Sequence, residues 1–413
     1  MRRDVAPMDL PKLREVEAFA VTVSGKKMIG LRDPMNYSSE VVAVPQQLYP
    51  LLLLLDGQHS VVDIQAEYMR RFGELIFRET IDDVLKVLDA GLFLDSDNFR
   101  RKREEIENEF KQSPLRQALL AGKSYDASPE ALDQQIQQFF THEEGPGLPE
   151  KKPRKTHVKG IIAPHIDFQR GGPCFAWAYK DLAERADADV YIIFGTAHTH
   201  TVMPFVATHK DFETPYGTLP CNRELVRLIQ KSVSYDLFRD EFVHRGEHSI
   251  EFQTVFLRYL FRDKKEISIV PILCGSFHEM VASRISPAED ARIREFVKAV
   301  KNAVKQSGAR ICCIAGADLA HVGPRFGDVH PISDGFLKLL KADDLRMLEP
   351  LERADANGFF SAIQADGDRR KICGLPPIYT MLSVMEATRG KLLKYQQWPD
   401  PQGTVTFASM AFY

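Results

Sequence analysis

The chain has 413 residues, which is more than one hydrophobic core usually holds, so we expect two domains. Its 54 basic and 57 acidic residues give a formal net charge of −3, which excludes a strong overall attraction to nucleic acid or to an anionic membrane. The apolar stretch around Leu51–Leu55 is too short to span a bilayer. The six cysteines form no C-x-x-C pair, so we expect reduced thiols and a cytoplasmic protein.

Residues 1–97 have the pattern of a small module. Apolar residues at 19–23 and 27–31 flank Ser24-Gly25 and predict a hairpin. Helices are predicted over 45–55, from a cap at Ser60 to the residue before Gly73, and over 80–90, followed by a short strand at 92–94. Three helices, a glycine and then a short strand are the order of elements in a winged helix, so we predict that fold for this module.

The segment from Leu51 to Leu94 resembles the PqqD-like winged-helix domains, which recognise peptides in peptide-modification systems. The resemblance rests on the run LLLLLDGQHSVVDIQAEYMRRFG and on the ending IDDVLKVLDAGLFL. It implies that the module binds a peptide or a partner protein. DNA-binding winged helices share this outline, but Asp63 and Glu67 offset the two arginines of the second helix, so nucleic-acid binding is not expected. A docking or dimerisation module is the alternative.

Residues 98–113 are mostly charged, with Arg100-Arg101-Lys102-Arg103 followed by Glu104-Glu105. A mixed run of this kind predicts a solvated linker helix and not a binding patch. We therefore expect the second domain to span residues 114–413.

Four hydrophobic runs in the second domain end in small residues followed by potential metal ligands. The runs cover 158–163, 190–194, 267–273 and 311–314, and the ligands that follow them are His165, His198, Cys274, Asp318 and His321. Runs rich in Ile and Val fit strands buried on both faces of a largely parallel sheet flanked by helices, so we predict an α/β fold. Side chains at the carboxyl ends of such strands collect at one edge of the sheet. The sequence therefore predicts that three imidazoles and a carboxylate converge there.

From residue 114 onward the chain resembles the Memo family. The matching segments occur in family order and are Ala121–Tyr125, Ala163-Pro164-His165, Gly195–His198, Glu247–Glu251, Ala317–His321 and Ile372-Cys373-Gly374. The resemblance implies a redox-active metal protein whose fold is similar to that of the LigB-type extradiol dioxygenases. Bacterial and archaeal members are often encoded beside a radical S-adenosylmethionine (SAM) enzyme, in the AmmeMemoRadiSam system, so such an enzyme is an expected partner.

The resemblance implies that His165, His198 and His321 bind an iron or copper ion. The residue types agree with a metal site without choosing the metal, because neutral imidazole suits iron, copper, zinc and nickel. Three neutral ligands leave the full positive charge of the ion in place. Such a site favours an anionic oxygen species or a deprotonated phenol.

The resemblance also places four side chains with catalytic potential beside these ligands. Asp318 lies three residues before His321, so we expect the two to share a helical turn and Asp318 to accept a proton. Cys373 near a cation would have a lowered pKa and would act as a soft ligand or a redox thiol. Glu247 and His248 are expected in the pocket wall, with His248 as an acid or base.

Three classes of function follow from this pattern. A metal-dependent oxidoreductase is the function that we expect. A zinc-dependent hydrolase is the second, although the sequence lacks the H-E-x-x-H signature of metalloproteases. The third is a non-catalytic protein that holds a peptide or a metal ion for a partner.

Overall fold

The computed structural model describes residues 10–150, 156–329 and 331–413. The chain forms two compact units, Met1–Gln112 and Ser113–Tyr413. None of the helices in the described ranges is long and apolar enough to cross a membrane.

Over its described residues, 10–112, the first unit combines a small antiparallel sheet with four α-helices. The sheet has the order β1-β2-β3, and the hairpin predicted around Ser24-Gly25 is confirmed. Ser60 caps its helix through a capping box, and Gly73 ends that helix in a left-handed conformation, as predicted. The elements are β1 (Glu17–Val23), β2 (Lys26–Arg32), β3 (Val42–Pro45), α1 (Tyr49–Leu52), α2 (Val61–Phe72), α3 (Arg78–Ala90) and α4 (Asp97–Gln112).

Two local predictions in this unit are wrong. The helix predicted over 45–55 is replaced by the end of β3, a 3-10 turn at Gln46–Leu48 and the four-residue helix α1. Proline lacks a backbone N–H, so Pro50 is accepted only in the first turn of α1 and the helix cannot extend back through it. The strand predicted at 92–94 is reduced to a single bridge at Leu94, because Leu92 turns the chain with a φ of 67°.

The charged segment forms α4, and this helix belongs to the first unit. Its Phe99 side chain is buried, and the guanidinium of Arg14 lies 3.7 Å from the centre of the Phe99 ring. The hydroxyl of Tyr37 donates a 2.5 Å hydrogen bond to Glu107. One face of the helix is therefore packed, whereas we had expected a solvated linker.

The second unit contains the remaining helices and strands. They are β4 (Leu115–Arg116), α5 (Pro129–Thr141), β5 (Gly160–Ala163), α6 (Phe168–Arg185), β6 (Val190–Thr196), β7 (Phe205–Ala207), β8 (Asp211–Phe212), α7 (Arg223–Lys231), α8 (Val243–Gly246), α9 (Glu251–Phe261), β9 (Ser268–Cys274), α10 (His278–Ser283), α11 (Ala291–Ser307), β10 (Ile311–Gly316), β11 (Asp318–Val322), α12 (Asp334–Leu348), α13 (Ala356–Ala365), α14 (Leu375–Val384), β12 (Gly390–Trp398) and β13 (Thr404–Phe412).

The predicted α/β fold is confirmed by the large sheet of this unit. Its centre consists of four parallel strands in the order β5-β10-β6-β9. Antiparallel strands flank them, with β7 beside β9 and β13 beside β5, and β13 also pairs with β11 and β12. The four predicted apolar runs form the four parallel strands.

Hydrophobic cores cover both faces of this sheet. Along β6, Ile192 and Phe194 belong to one core, which includes residues of α7, α11 and α14. Tyr191 and Ile193 belong to the other core, which includes residues of α5, α6 and α9. Because successive side chains of a strand point to opposite faces, a strand between two cores must be apolar throughout. This burial makes the strand ends a rigid base for a site.

Candidate metal centre

Three neighbouring strands bring the predicted ligands to one edge of the sheet. His165 follows the end of β5, His198 follows the end of β6, and Asp318 follows the end of β10, which lies between the other two strands. Their positions after the carboxyl ends of parallel strands match the usual location of sites in α/β sheets. The predicted convergence of these residues is therefore seen in the fold.

Three imidazoles form the core of the site. The ligand nitrogens of His165, His198 and His248 all lie within 4.8 Å of one another. The His198 and His248 rings are stacked with centroids 4.8 Å apart, and the His165 ring meets the His198 ring edge-on at 4.9 Å. The sequence had placed His248 in the pocket wall, so its membership of this cluster is a finding of the structure.

Protein oxygens orient two of these rings. The Nδ1 atom of His165 lies 2.9 Å from the backbone oxygen of Gly316, and the Nδ1 atom of His198 lies 3.0 Å from the carboxylate of Glu247. An oxygen that can only accept fixes the proton on Nδ1 and leaves the lone pair on Nε2. Histidines that bind metals usually have their second nitrogen held in this way.

Cys373 lies against both imidazoles. Its Sγ atom is 3.3 Å from His165 Nε2, and the thiol also hydrogen-bonds the His198 side chain. Thr196 at the end of β6 donates to the Cys373 carbonyl at 3.1 Å, which ties the loop of this cysteine to the sheet. Burial raises the pKa of the Cys373 thiol, and the hydrogen bond with His198 partly opposes this shift.

Asp318 supports the loop that carries His165. Its Oδ1 atom accepts hydrogen bonds from the backbone N–H groups of His165 at 2.9 Å and Ile166 at 3.2 Å, and its Oδ2 atom lies 3.7 Å from His165 Nε2. Burial raises the pKa of its carboxyl to about 7, although the two N–H groups lower it. The residue is thus a buried carboxyl group within reach of the imidazole cluster.

The expected helical turn from Asp318 to His321 is wrong. Both residues belong to strand β11, whose register against β13 shifts between them. A bulge of this kind redirects side chains, so a spacing of three residues does not require a helix. His321 packs edge-on against Phe326 at 5.1 Å, and its Nδ1 atom lies 3.2 Å from the Leu319 carbonyl. The closest group of three imidazoles contains His248 in its place.

Glu247 is enclosed by protein donors. Its carboxylate accepts hydrogen bonds from the backbone N–H groups of His198, His248 and Ser249 at 2.8–3.0 Å, in addition to its contact with His198 Nδ1. Burial alone would raise the pKa of this carboxyl, but the adjacent His198 and His248 hold it well below the usual range. With every side occupied, Glu247 is placed to orient the histidines.

The four imidazoles differ in their electrostatic environment. Burial lowers the pKa of His165 well below its usual range and that of His248 and His321 to about 4, so these rings are neutral near pH 7. For His198, burial opposes the charged form, but Glu247 and Cys373 hold its pKa well above the ordinary value. A neutral ring is the form of histidine that can donate a lone pair to a metal, so His198 must release its second proton when it binds one.

A buried ion pair fixes the segment that carries Glu247 and His248. Arg116 pairs with Glu251 and donates to the carbonyl oxygens of His244 at 3.0 Å and Glu247 at 2.7 Å. The Tyr125 hydroxyl donates to Glu251 at 2.5 Å. Sequence reasoning missed the role of Arg116, because a single arginine next to a short strand gives no local signal of its buried partners.

Asp167 is not a further carboxylate of the site. It caps α6 by accepting the backbone N–H of Arg170 at 3.1 Å, and it pairs with the guanidinium of the same residue. Its position one residue before a helix explains the capping role.

The family profile described as Memo-like protein matches residues 116–410. The chain belongs to the Memo family. A "MEMO1 family protein" of Aquifex aeolicus is 28% identical over 404 residues, which cover 97% of this chain and 99% of the relative. The "MEMO1 family protein PAE0818" of Pyrobaculum aerophilum is 30% identical over 308 residues, which cover 72% of this chain and 99% of the relative.

The Memo resemblance inferred from the sequence is therefore confirmed. A third relative, the "MEMO1 family protein" of Methanococcoides burtonii, is 34% identical over 211 residues, covering 51% of this chain and 70% of the relative. The Memo profile begins four residues after the boundary between the two units, so family membership rests on the second unit.

Proposed function

We propose that this Memo-family protein is an oxidoreductase that binds one iron or copper ion between His165, His198 and Cys373. One observation carries the proposal. Both imidazoles give their Nδ1–H to a protein oxygen, and the Nε2 atom of His165 then faces the Cys373 thiol at 3.3 Å. Histidines that bind metals usually have their second ring nitrogen held by a protein oxygen in this way.

The donor set fits a transition metal. Two imidazoles and a thiol suit copper, iron or zinc and do not suit magnesium or calcium, which require oxygen ligands. When bound, an iron or copper ion would supply electron-transfer chemistry. The neutral form of His165 and the rigid strand ends favour binding, since the ligands need little reorganisation.

The surrounding residues would orient the ligands and handle protons. Glu247 holds the His198 ring, the Gly316 carbonyl holds the His165 ring, and Asp318 holds the His165 backbone. The Oδ2 atom of Asp318 faces the same Nε2 atom as Cys373 does, so it can accept a proton from a molecule bound there. His248 offers a neutral nitrogen within 4.8 Å of the ligand nitrogens of His165 and His198.

Cys373 is our choice for the third ligand, in place of the His321 that the sequence predicted. The thiol contacts both His165 and His198, whereas the His321 ring packs against Phe326. His248 is the other candidate, because its ligand nitrogen lies within 4.8 Å of the other two. Separate substitutions of Cys373, His321 and His248 can show which of these three residues is the third ligand.

The metal content of protein purified without oxygen tests the proposal. We expect iron or copper by plasma mass spectrometry, and we expect His165→Ala, His198→Ala and Cys373→Ala each to lower it at least about tenfold. His248→Ala and His321→Ala should retain it. The matched control is His200→Ala, which removes an exposed imidazole two residues from His198.

Three results would contradict parts of the proposal. Full occupancy in a variant lacking His165, His198 and Cys373 would exclude the site. Loss of metal in His321→Ala with retention in Cys373→Ala would restore the ligand set predicted from the sequence. Bound zinc without oxygen uptake in the presence of a reductant would favour a zinc-dependent hydrolase. A tight peptide complex in protein without metal would favour a non-catalytic binding protein.

We further propose that the first unit binds an extended peptide of a partner, such as the radical SAM enzyme, along β1. This strand is at the edge of its sheet, and six of its seven residues are exposed. Strand addition uses unpaired backbone groups and needs no basic surface. All six cysteines are free thiols, which supports our proposal of a cytoplasmic location.

A further inference from the structure

A second cavity lies at the amino ends of β5 and β10, whereas the candidate metal centre lies after the carboxyl ends of the same strands. Its volume is about 530 Å³. Small-molecule sites in proteins usually occupy about 300–1,000 Å³. The cavity is therefore large enough for a ligand of its own, away from the imidazole cluster.

One wall of this cavity is apolar. It is formed by side chains from α11, from β10 and from the end of α14, namely Val304, Ile311, Cys313, Val384 and Met385. A Cβ atom on the neighbouring Gly160 would lie 2.9 Å from Met385 Sδ and 3.4 Å from Cys313 Cβ, so this wall is closely packed. It offers a fixed surface against which the apolar part of a ligand can be buried.

Three lysines also line the cavity. Lys301 and Lys305 belong to α11, and Lys159 directly precedes β5. Residues four positions apart lie on the same face of a helix, so the two helical lysines are neighbours. The Lys159 backbone is fixed by two hydrogen bonds, since its N–H donates to the Phe412 carbonyl at 2.8 Å and its carbonyl accepts the Cys313 N–H at 2.9 Å. The cations therefore reach the cavity from two separate parts of the fold.

The positive charges of this lining are not balanced. None of the three lysine side chains has an ion pair or a hydrogen bond with a residue in the described ranges, and Glu386 is the carboxylate that shares the lining. Three lysines and one glutamate give a net charge of +2 in a chain whose formal net charge is −3. In α4, by contrast, Lys102 and Arg103 pair with carboxylates of the same helix.

The dipole of α11 does not explain the whole cluster. Lys305 lies in the last turn, where a cation offsets the negative end of the helix dipole. Lys301 lies more than one turn from the helix end, and Lys159 lies outside any helix. The two arginines of α11 are engaged elsewhere, because Arg292 has a carboxylate partner and Arg294 donates to backbone carbonyls.

These features determine the chemistry of a ligand. A lysine ammonium is a point charge with three N–H donors, and it is a common partner of phosphate. A phosphate monoester carries a charge of about −1.5 to −2 near pH 7, which matches the lining better than the single charge of a carboxylate does. The organic group of such an ester can be buried against the apolar wall.

We propose that this cavity binds a phosphate monoester of a small apolar alcohol or phenol. Lys159, Lys301 and Lys305 hold the phosphate, and the organic group packs against Cys313 and Met385. The inference goes beyond the proposed function and does not rest on it, because this cavity and the candidate metal centre are at opposite ends of the parallel strands.

Isothermal titration calorimetry of the full chain with phenyl phosphate, at pH 7.5 and physiological ionic strength, tests the site. We expect one molecule to bind, and inorganic phosphate should bind at least about tenfold more weakly because it has no ring to bury. Lys159→Met and Lys305→Met should each weaken phenyl phosphate binding about tenfold, as for the loss of one hydrogen bond between charged groups. Both side chains are exposed, so the fold should be retained.

Two further variants separate a site from a general positive field. Lys298→Met is the matched control, since it removes an exposed cation of α11 that lies outside this lining, and it should weaken binding at most about twofold. Glu386→Gln removes the carboxylate of the lining and should strengthen binding about twofold to threefold. A gain in affinity cannot result from damage to the fold.

Four outcomes would overturn the inference. They are no binding of phenyl phosphate, equal affinity for inorganic phosphate, an equal loss in Lys298→Met, and loss of binding in His165→Ala, which would place the phosphate at the candidate metal centre. Cosedimentation with vesicles of phosphatidylcholine and phosphatidic acid, without binding of phenyl phosphate, would assign the lysines to a membrane surface. Binding of phenyl phosphate that depends on the lysines, in protein without iron or copper, would sustain this inference and defeat the proposed function.

Discussion

Gly374 lets the loop that carries Cys373 approach β11. A Cβ atom at this position would collide with the backbone oxygen of Asp318 and would lie 3.0 Å from the Cβ atom of Ala317. Glycine has no Cβ, so the backbone segments can meet here, and Cys373 is brought against His165. The identity of this one residue therefore affects the geometry of the whole site.

Gly374→Ala should lower the free energy of unfolding by about 1–3 kcal/mol, because the collision involves backbone that cannot rotate away. It should also lower the metal content, since Cys373 is displaced. Urea denaturation measures the free energy of unfolding, and mass spectrometry measures the metal content. Gly335→Ala, which meets no atom closer than 4.0 Å, is the control and should change stability by less than about 1 kcal/mol. Equal effects of the two substitutions would contradict this explanation.

Arg116→Met should destabilise the fold by about 3–5 kcal/mol, because it leaves the Glu251 carboxylate buried without its cation. The same variant should weaken metal binding, since the carbonyl groups of His244 and Glu247 lose their donor. Arg310→Met breaks exposed pairs with Asp187 and Asp189 and should cost at most about 1 kcal/mol in chemical denaturation. Similar losses in both variants would argue against a special role for the buried pair.

His244 should make the protein sensitive to acid. Burial lowers its pKa from 6.5 to about 3, so the unfolded chain binds a proton more readily than the folded one. The contribution to stability is complete above pH 6.5 and is lost as the pH falls toward 3. Between pH 7.5 and 5 the loss should be about 2 kcal/mol.

His244→Gln removes this titration and retains a side-chain N–H that can reach the Val206 carbonyl, which His244 Nε2 contacts at 3.0 Å. Free energies of unfolding of the two proteins at pH 7.5 and 5 provide the measurement. The variant should lose about 2 kcal/mol less than the wild type on acidification. Parallel pH profiles would show that His244 does not contribute.

At the scale of elements, the parallel strands could be predicted and the edge of the sheet could not. The four apolar runs match β5, β6, β9 and β10 within two residues at each end, because a strand between two cores must be apolar along its length. Strand β11 contains polar residues at a spacing that also fits a helix. Its pairing with β13 involves residues about 85 positions away and leaves no local trace.

The contrast between local patterns and long-range pairing also explains which site residues could be predicted. His165, His198 and Asp318 follow strands that the sequence reveals, so their convergence could be expected. His248 and Arg116 depend on how a loop before α9 packs over the strand ends.

Helix α2 should not support DNA binding by the full chain. Glu67 pairs with both Arg70 and Arg71, and with Asp63 it balances the two positive charges of this helix. In fluorescence anisotropy with duplex DNA, we expect little binding at 50 mM salt. An affinity that falls by about 10³-fold between 50 and 200 mM salt would instead identify a DNA-binding module.

At the scale of the molecule, the two units should separate by proteolysis. We predicted a small module over residues 1–97 and a second domain over 114–413, and the compact units divide after Gln112. Because α4 packs within the first unit, we now expect the first cut near the end of this helix, at Lys111. Electrophoresis and mass spectrometry identify the fragments. Cuts found exclusively inside one of the units would contradict independent folding.

The relatives support the same division. The Pyrobaculum aerophilum protein aligns over 99% of its own length with 72% of this chain, a share that the second unit alone could supply. The Aquifex aeolicus protein aligns with 97% of this chain, so it also covers most of the first unit.

The pairing of β13 affects the order in which the protein can mature. This strand, residues 404–412, pairs with β5, β11 and β12, and so it joins the strand that precedes His165 to the strand that contains Asp318. A ribosome synthesises it after every other strand of the sheet. Until then, His165 and Asp318 belong to segments that β13 has not yet tied together. We therefore expect the proposed metal site to be completed only after translation, since β5 and β11 lack this strand partner until then.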